Sequence, residues 1–369
     1  MTPCVGCCSP GISVPLTHYS FLQGVANTIW ALGKLDAEVA PELVDAMQSR
    51  ALDIVAFVKG DRDFFTAEGV AKLIWGLGKL GAEVDPELDS VMQELARKTA
   101  EDFTQEDVSS LMWGLATLEL DVDPKLAKVM QRQAIKMAPF FTYQSVSKLM
   151  WALAKLRVEV IPAIKKMQDR AIKIAPIFDA HSAAELMWAL ATLEVKLDPQ
   201  LGKNMQRRAI EIAATFTAQD VSDFMWGLAT LGVEPDSRLV EEMLRRAVEV
   251  EDDFTSQGVS KLMWALACFD TPQSPVSSLM AESMAVRLLS LREQLSIEDK
   301  VQMHQWLLFC DLHPQWRGKL PTSMQKVKEE LGGDFRQAFA LEAPSNSRLQ
   351  VSESLFFAPL CVGVRSCKF

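Results

Sequence analysis

The chain is poor in the residues that carry chemistry. Among its 369 residues there are four histidines (His18, His181, His304 and His313), two tyrosines and seven cysteines. No Ser/His/Asp or Cys/His arrangement stands out, so no catalytic residue is expected and the chain is not read as an enzyme. His304, Cys310 and His313 are neighbours in sequence but read as a helix end. The cysteines fall mostly near the two ends, too few for a disulfide scaffold in a chain of this length, which points to a reducing compartment. Cys4, Cys7 and Cys8 resemble half a zinc site, yet no second pair follows at ligand spacing, so no metal is expected. No apolar run approaches the roughly eighteen residues of a membrane helix, so no membrane partner is expected.

Charge is missing from the first eighteen residues, which hold no Lys, Arg, Asp or Glu. That excludes the basic segment of a secretory signal and the arginines of a transit peptide. Residues 1–18 are read as a disordered, uncharged leader; the alternative is a start upstream of Met1. Gly76, Gly78 and Gly81 have dinucleotide-binding spacing but lie inside a helical pattern with no strand before it. No cofactor and no small-molecule substrate are expected.

What is abundant is repetition. Trp30, Trp75, Trp113, Trp151, Trp188, Trp226 and Trp264 stand 45, 38, 38, 37, 38 and 38 residues apart, inside phrases such as VSKLMWALAKL and AAELMWALATL. A fixed period of that size means stacked supersecondary units. The extra residues of the first interval, around Phe57 to Asp63, read as a loop insertion.

Each unit reads as two helices. A threonine (Thr66, Thr104, Thr142, Thr217, Thr255) opens the first, where its hydroxyl can accept from free N–H groups; Thr104 with Asp107 and Thr217 with Asp220 approach a capping box. Eleven residues past the tryptophan, six of seven copies place a proline, often behind aspartate, as in Asp85-Pro86, Asp123-Pro124 and Asp198-Pro199. Aspartate as cap and proline at the first helical position open the second helix. Methionines before the tryptophans and in the second helices read as core.

At 100° per residue, Val146, Leu149, Met150, Leu153 and Leu156 form the buried face of the fourth first-helix. Ser147 and Ala154 on one flank and Ala152 on the other are small enough to let neighbouring copies approach. Gln144, Lys148 and Lys155 share the remaining side, with Trp151 at its edge. The equivalent polar pairs vary from copy to copy: Gln23 and Asn27, Glu68 and Lys72, Glu106 and Ser110, Gln144 and Lys148, His181 and Glu185, Gln219 and Asp223, Gln257 and Lys261. A variable pair on a constant frame reads either as a recognition surface or as drift of a solvated face.

Net charge is −10, unevenly spread. From Lys125 to Phe178 eleven Lys or Arg face two acids. Lys128, Arg132, Lys136, Lys155, Arg157, Lys165, Lys166, Arg170 and Lys173, with Arg207 and Arg208 in the next copy, are the phosphate-contact candidates. The invariant tryptophans read as packing before base stacking.

The phrases VANTIWALGKL, VSKLMWALAKL and AAELMWALATL at a 38-residue period resemble the octotricopeptide and heptatricopeptide repeat proteins, related to the FASTK and RAP-domain group. The resemblance covers residues 19–292. Ser347 to Val351 resembles the segment before a C-terminal RAP domain, and with the chain ending at Phe369 that domain is expected to be absent. The resemblance implies single-stranded RNA binding in a mitochondrion or chloroplast, with protein partners in a ribonucleoprotein complex. It also implies that the variable pairs face bases.

The sequence therefore predicts an all-α, right-handed α-solenoid of about seven helix-hairpin repeats over 19–292, a degenerate C-terminal cap over 293–341 containing Trp306, and a loose tail over 342–369. The function expected is non-catalytic binding of single-stranded RNA. The alternative is a protein-interaction scaffold of the armadillo or HEAT kind. Basic side chains on the first helices favour RNA; basic side chains scattered over the second helices favour the scaffold.

Overall fold

The computed structural model describes residues 17–57, 66–158, 161–270 and 274–342. The leader up to residue 16, the insertion at 58–65 and the tail from 343, with Cys4, Cys7, Cys8, Cys361, Cys367 and Ser347 to Val351, lie outside the described residues. All sixteen α-helices among the described residues come without a strand, which is the all-α stack of helical repeats expected. The chain divides into two compact units, Met1–Met137 and Ala138–Phe369.

In the first unit, α1 (Thr17–Lys34), α3 (Ala67–Lys79) and α5 (Gln105–Thr117) are the tryptophan-bearing first helices, and α2 (Pro41–Phe57), α4 (Pro86–Lys98) and α6 (Pro124–Met137) the second helices. α3 packs on α1 and on α5, and α4 on α2 and on α6, so like stacks on like in two layers. The second unit repeats the scheme with α7 (Tyr143–Lys155), α9 (Ala180–Thr192), α11 (Ala218–Thr230), α13 (Ser256–Cys268) and α15 (Ile297–Leu312) in one layer. Its other layer is α8 (Ile161–Ile174), α10 (Pro199–Glu211), α12 (Ser237–Glu249), α14 (Pro275–Ser290) and α16 (Thr322–Glu342).

The caps fall where the sequence puts them. Thr66, Thr104, Thr142, Thr217 and Thr255 each accept a main-chain N–H three residues on, and Thr104 with Asp107 and Thr217 with Asp220 complete capping boxes. Asp179 and Ser296 do the same work for α9 and α15. Asp85 and Asp198 cap α4 and α10 ahead of proline. After each first helix from α1 to α13 the chain turns through one left-handed residue: Gly81 and Gly232, but also Asp36, Glu119, Arg157, Glu194 and Asp270 at φ 44° to 54°.

The small-residue flanks are the stacking seams. A Cβ on Gly76 would lie 2.7–2.8 Å from Ile29, and one on Gly227 2.8 Å from the main chain of Met187, so the residues after Trp75 and Trp226 abut the preceding copy. Gly78 approaches Gly114 of the following copy, and Ser147 Oγ donates to Ser182 O at 2.7 Å. These glycines are packing positions within α3, not a phosphate loop. Val146, Leu149, Met150 and Leu153 are buried, as are Met92, Met130, Met167, Met205 and Met243. Trp306 is buried in α15 with its ring edge-on to Trp316, and Met324, Val327 and Phe335 of α16 close the end of the second unit's core.

Candidate functional site

On the first-helix face of the first unit, polar pairs of successive copies meet. Gln23 Nε2 donates to Asn27 Oδ1 at 3.3 Å, Thr66 Oγ1 donates to Gln23 Oε1 at 3.0 Å, and Lys72 Nζ donates to Asn27 Oδ1 at 3.0 Å while pairing with Glu68 at 2.6 Å. The tryptophans form a row beside them. Trp75 and Trp113 lie 5.9 Å apart between ring centroids. Lys34 Nζ sits 5.7 Å from the Trp30 centroid and 5.2 Å from that of Trp75, and Lys72 Nζ 5.0 Å from Trp30, each within cation–π range. A cavity of about 630 Å³ opens here and brings the second and third pairs together, with Glu68, Lys72, Glu106 and Ser110 among its walls.

The second unit repeats the pattern. Lys155 Nζ lies 5.7 Å from Trp151 and 5.6 Å from Trp188. Gln144 is exposed and Lys148 half-buried. His181 Nδ1 is 3.1 Å from Asp220 Oδ1, and this bond holds the imidazolium so firmly that its pKa is raised to about 9 against the opposing effect of burial. Burial raises Glu185, one turn further along α9, to about 7, although His181 and Lys148 favour its charge. Burial also pushes Asp220 upward, but the bonds from His181 and Thr217 outweigh it and leave that carboxyl below its ordinary value. Gln219 Nε2 donates to Asp223 Oδ2 at 2.7 Å, and Lys261, only 8% exposed, pairs with Asp223 at 2.9 Å while lying 5.6 Å from Trp226. Gln257 is exposed.

The basic island divides. Lys128, Arg132 and Lys136 project from α6, Lys165, Lys166 and Lys173 from α8 and Arg207 from α10, all exposed and all on second helices. By the sequence criterion that placement favours the scaffold, while Lys155 and Lys148 stand on the first-helix face. Arg170 and Arg208 are committed to the fold: their Nε groups donate to the carbonyls of Phe141 and Phe178 at 2.7 and 2.8 Å. Arg157 occupies the left-handed turn after α7 at φ 51°.

One recurring contact escaped the sequence reading. Gln48, Gln93, Gln168 and Gln206, each following a second-helix methionine, grip the loop of the next copy. Gln93, for example, donates to Asp121 O and accepts from Asp123 N–H, both at 2.8 Å. The Met-Gln dipeptide at a fixed distance from the tryptophan was the available signal.

The three chemically suggestive residues near α15 are engaged elsewhere. His304 stacks on Phe339 at 5.0 Å, His313 Nε2 contacts Asp270 at 3.0 Å, and burial pushes the Cys310 thiol far above its ordinary pKa. Among the described residues no group of three or more His, Cys, Asp or Glu could hold a metal, and no helix is long and apolar enough to cross a membrane.

Residues 43–198, less than half of the chain, match the family model described as RNA-editing substrate-binding complex 6 protein. The match runs from α2 to the loop before α10. No curated protein matches the sequence. A crystal structure of an engineered protein, 11% identical, covers 95% of this chain and 99% of its own at a TM-score of 0.22, a likeness too low to carry an argument.

Proposed function

We propose that this chain is a non-catalytic RNA-binding repeat protein that works with protein partners in RNA processing. The observation that carries the reading is the match of residues 43–198 to a family named for binding RNA-editing substrates. The first-helix face supports it: half-exposed tryptophans such as Trp151, Trp188 and Trp226 offer stacking planes, and variable polar pairs beside them offer hydrogen bonds. Single-stranded RNA would lie along that face in the second unit, near Gln144, Lys148 and Lys155, with cations of the island meeting phosphate. A mitochondrion or chloroplast is the compartment the repeat resemblance implies.

The test is fluorescence anisotropy of the full chain with labelled single-stranded RNA and with matched duplex. With about six phosphate contacts, affinity should drop on the order of a thousandfold from 50 to 200 mM salt. Lys155→Glu should weaken binding more than Lys165→Glu, Lys166→Glu and Lys173→Glu combined if the first-helix face carries the RNA. The reverse ranking would move the RNA to the second helices. No binding at low salt by the folded chain would sink the reading and leave the protein scaffold, which the second-helix placement of most of the island favours.

A further inference from the structure

The short 3-10 turns that lead into the first helices differ at their third residue. Ahead of α5, α11, α13 and α15 it is polar: Asp102, Thr215, Asp253 and Gln294. Ahead of α7 and α9 it is large and apolar, Phe140 in Ala138–Phe140 and Ile177 in Ala175–Ile177, and these residues are 63% and 60% exposed. Pro139 and Pro176, one residue before each, are exposed as well. The fold does not require apolar residues there, because the copies with Thr215 and Asp253 bury the next residue, Phe216 or Phe254, just as fully as Phe141 and Phe178 are buried.

The two apolar turns are neighbours. The ring of Tyr143, three residues past Phe140, is 5.7 Å from that of Phe178, the residue after Ile177. Cations surround them. α8 and α10 carry seven Lys or Arg against two acids, whereas α12 carries three of each and ties Arg245 to both Glu241 and Glu242. Lys173 stands in the last turn of α8, directly ahead of Ala175–Ile177, and Arg207 precedes Arg208, whose Nε meets the carbonyl of Phe178. Both are exposed, and among the described residues neither has an ion-pair partner.

We propose that this edge of the second unit is a docking site for an acidic, amphipathic segment of a partner protein. Large apolar side chains of the segment cover Phe140 and Ile177, and carboxylates beside them meet Lys173 and Arg207. Exposed apolar side chains rimmed by unpaired charge of one sign have the composition of a protein interface. Isoleucine and proline offer no ring face on which a base could stack, so the apolar part suits a protein better than a nucleic acid. The inference does not rest on RNA binding, which concerns the first-helix face, and the two readings fail separately.

The probe is a phage-displayed library of short random peptides selected on the full chain. The expected result is a pool enriched in Asp and Glu together with Leu, Ile or Phe, whose synthetic members bind saturably at one site. Phe140→Thr with Ile177→Thr, the residue type that Thr215 places in the next copy, should weaken them about tenfold. Lys173→Gln with Arg207→Gln should weaken them by a similar factor. Lys326→Gln with Lys328→Gln on α16, an equal loss of charge elsewhere in the same unit, should leave them unchanged. Equal weakening by the two charge pairs would overturn the proposal in favour of bulk attraction. No enrichment, a basic pool, or peptides indifferent to the Phe140 and Ile177 changes would overturn it as well. If those two changes instead weaken binding of single-stranded RNA and spare the peptides, the edge belongs to nucleic acid and the proposal falls. Circular dichroism of each variant confirms that the helices are intact.

Discussion

Arg208 reaches from α10 to the main chain ahead of α9, its Nε donating to the carbonyl of the wholly buried Phe178 at 2.8 Å. Arg170, Arg246 and Arg287 make the same bond to Phe141, Phe216 and Phe254. One arginine in each of α8, α10, α12 and α14 thus ties the C-terminal part of the second helix to the entrance of the first. Without it a buried carbonyl would lose its partner. Arg208→Ala should therefore cost about 1.5–3 kcal/mol, whereas Arg207→Ala, one residue earlier and exposed, should stay within about 0.5 kcal/mol. Urea denaturation of the two variants decides it: equal losses would mean that the main-chain bond carries nothing.

Close approach at the seams leads to a second expectation. Gly227→Ala places a methyl 2.8 Å from the carbonyl carbon and oxygen of Met187, atoms that cannot rotate away, so overpacking of about 1–3 kcal/mol should exceed the gain in helix propensity of up to about 1 kcal/mol. Gly333→Ala in α16 meets nothing within 4 Å and should gain that propensity outright. The melting temperatures should move in opposite directions.

Arg157 sits at φ 51°, where equivalent turns place Gly81 and Gly232. Arg157→Gly relieves a left-handed strain of about 1 kcal/mol and should raise the melting temperature. If Arg157 also meets phosphate, the same change should flatten the salt dependence of RNA binding by about one contact. A more stable variant with an unchanged salt slope would remove Arg157 from the interface.

Acidity should act on the second unit through α9. Glu185, raised to about 7 by burial, holds its proton more tightly folded than unfolded, so stability falls as pH rises from about 4.5 through 7. His181, raised to about 9 by its bond to Asp220, contributes stability that is complete below about 6.5 and is lost as pH rises through 9. Its side chain is 76% exposed, so solvent screening makes this upper decline the shallower. Melting temperature followed from pH 4.5 to 9 should therefore decline in two stages, Glu185→Gln removing the lower and His181→Gln the upper. A flat profile in the parent chain would refute both assignments.

The helices were readable because their ends are chemically marked. Thr104 must be followed by Asp107 to close a capping box, and Pro86 fits only where no N–H is needed, so the boundaries could be written down beforehand. The seams were readable from size: Ala152, Ala154 and Ser147 are small enough for the approach, and Ser147 indeed bonds to Ser182. The polar residues were harder. Arg170 and Arg208 looked like members of a basic surface because sequence reports a charge but not the carbonyl it faces. Gln93 drew no reading because its partners, Asp121 and Asp123, lie about thirty residues on. The variable pairs lie on the first helices of each unit, but their cross-copy partners, such as Asn27 for Lys72 and Asp223 for Lys261, depend on side-chain reach between helices.

The glutamine grip described for Gln48, Gln93, Gln168 and Gln206 has no counterpart in α12, where Leu244 stands after Met243 and is buried. A joint with a forked amide and one with a buried leucine in its place respond to temperature differently, because burial of apolar surface loses strength on cooling while hydrogen bonds do not. The seam between α12 and α14, which keeps the bond from Arg287 to Phe254 but lacks the glutamine, should therefore weaken more on cooling than the others. Chilling should loosen the last hairpins of the second unit before those around α8 and α10, and the chain carries a thermal polarity along its own sequence.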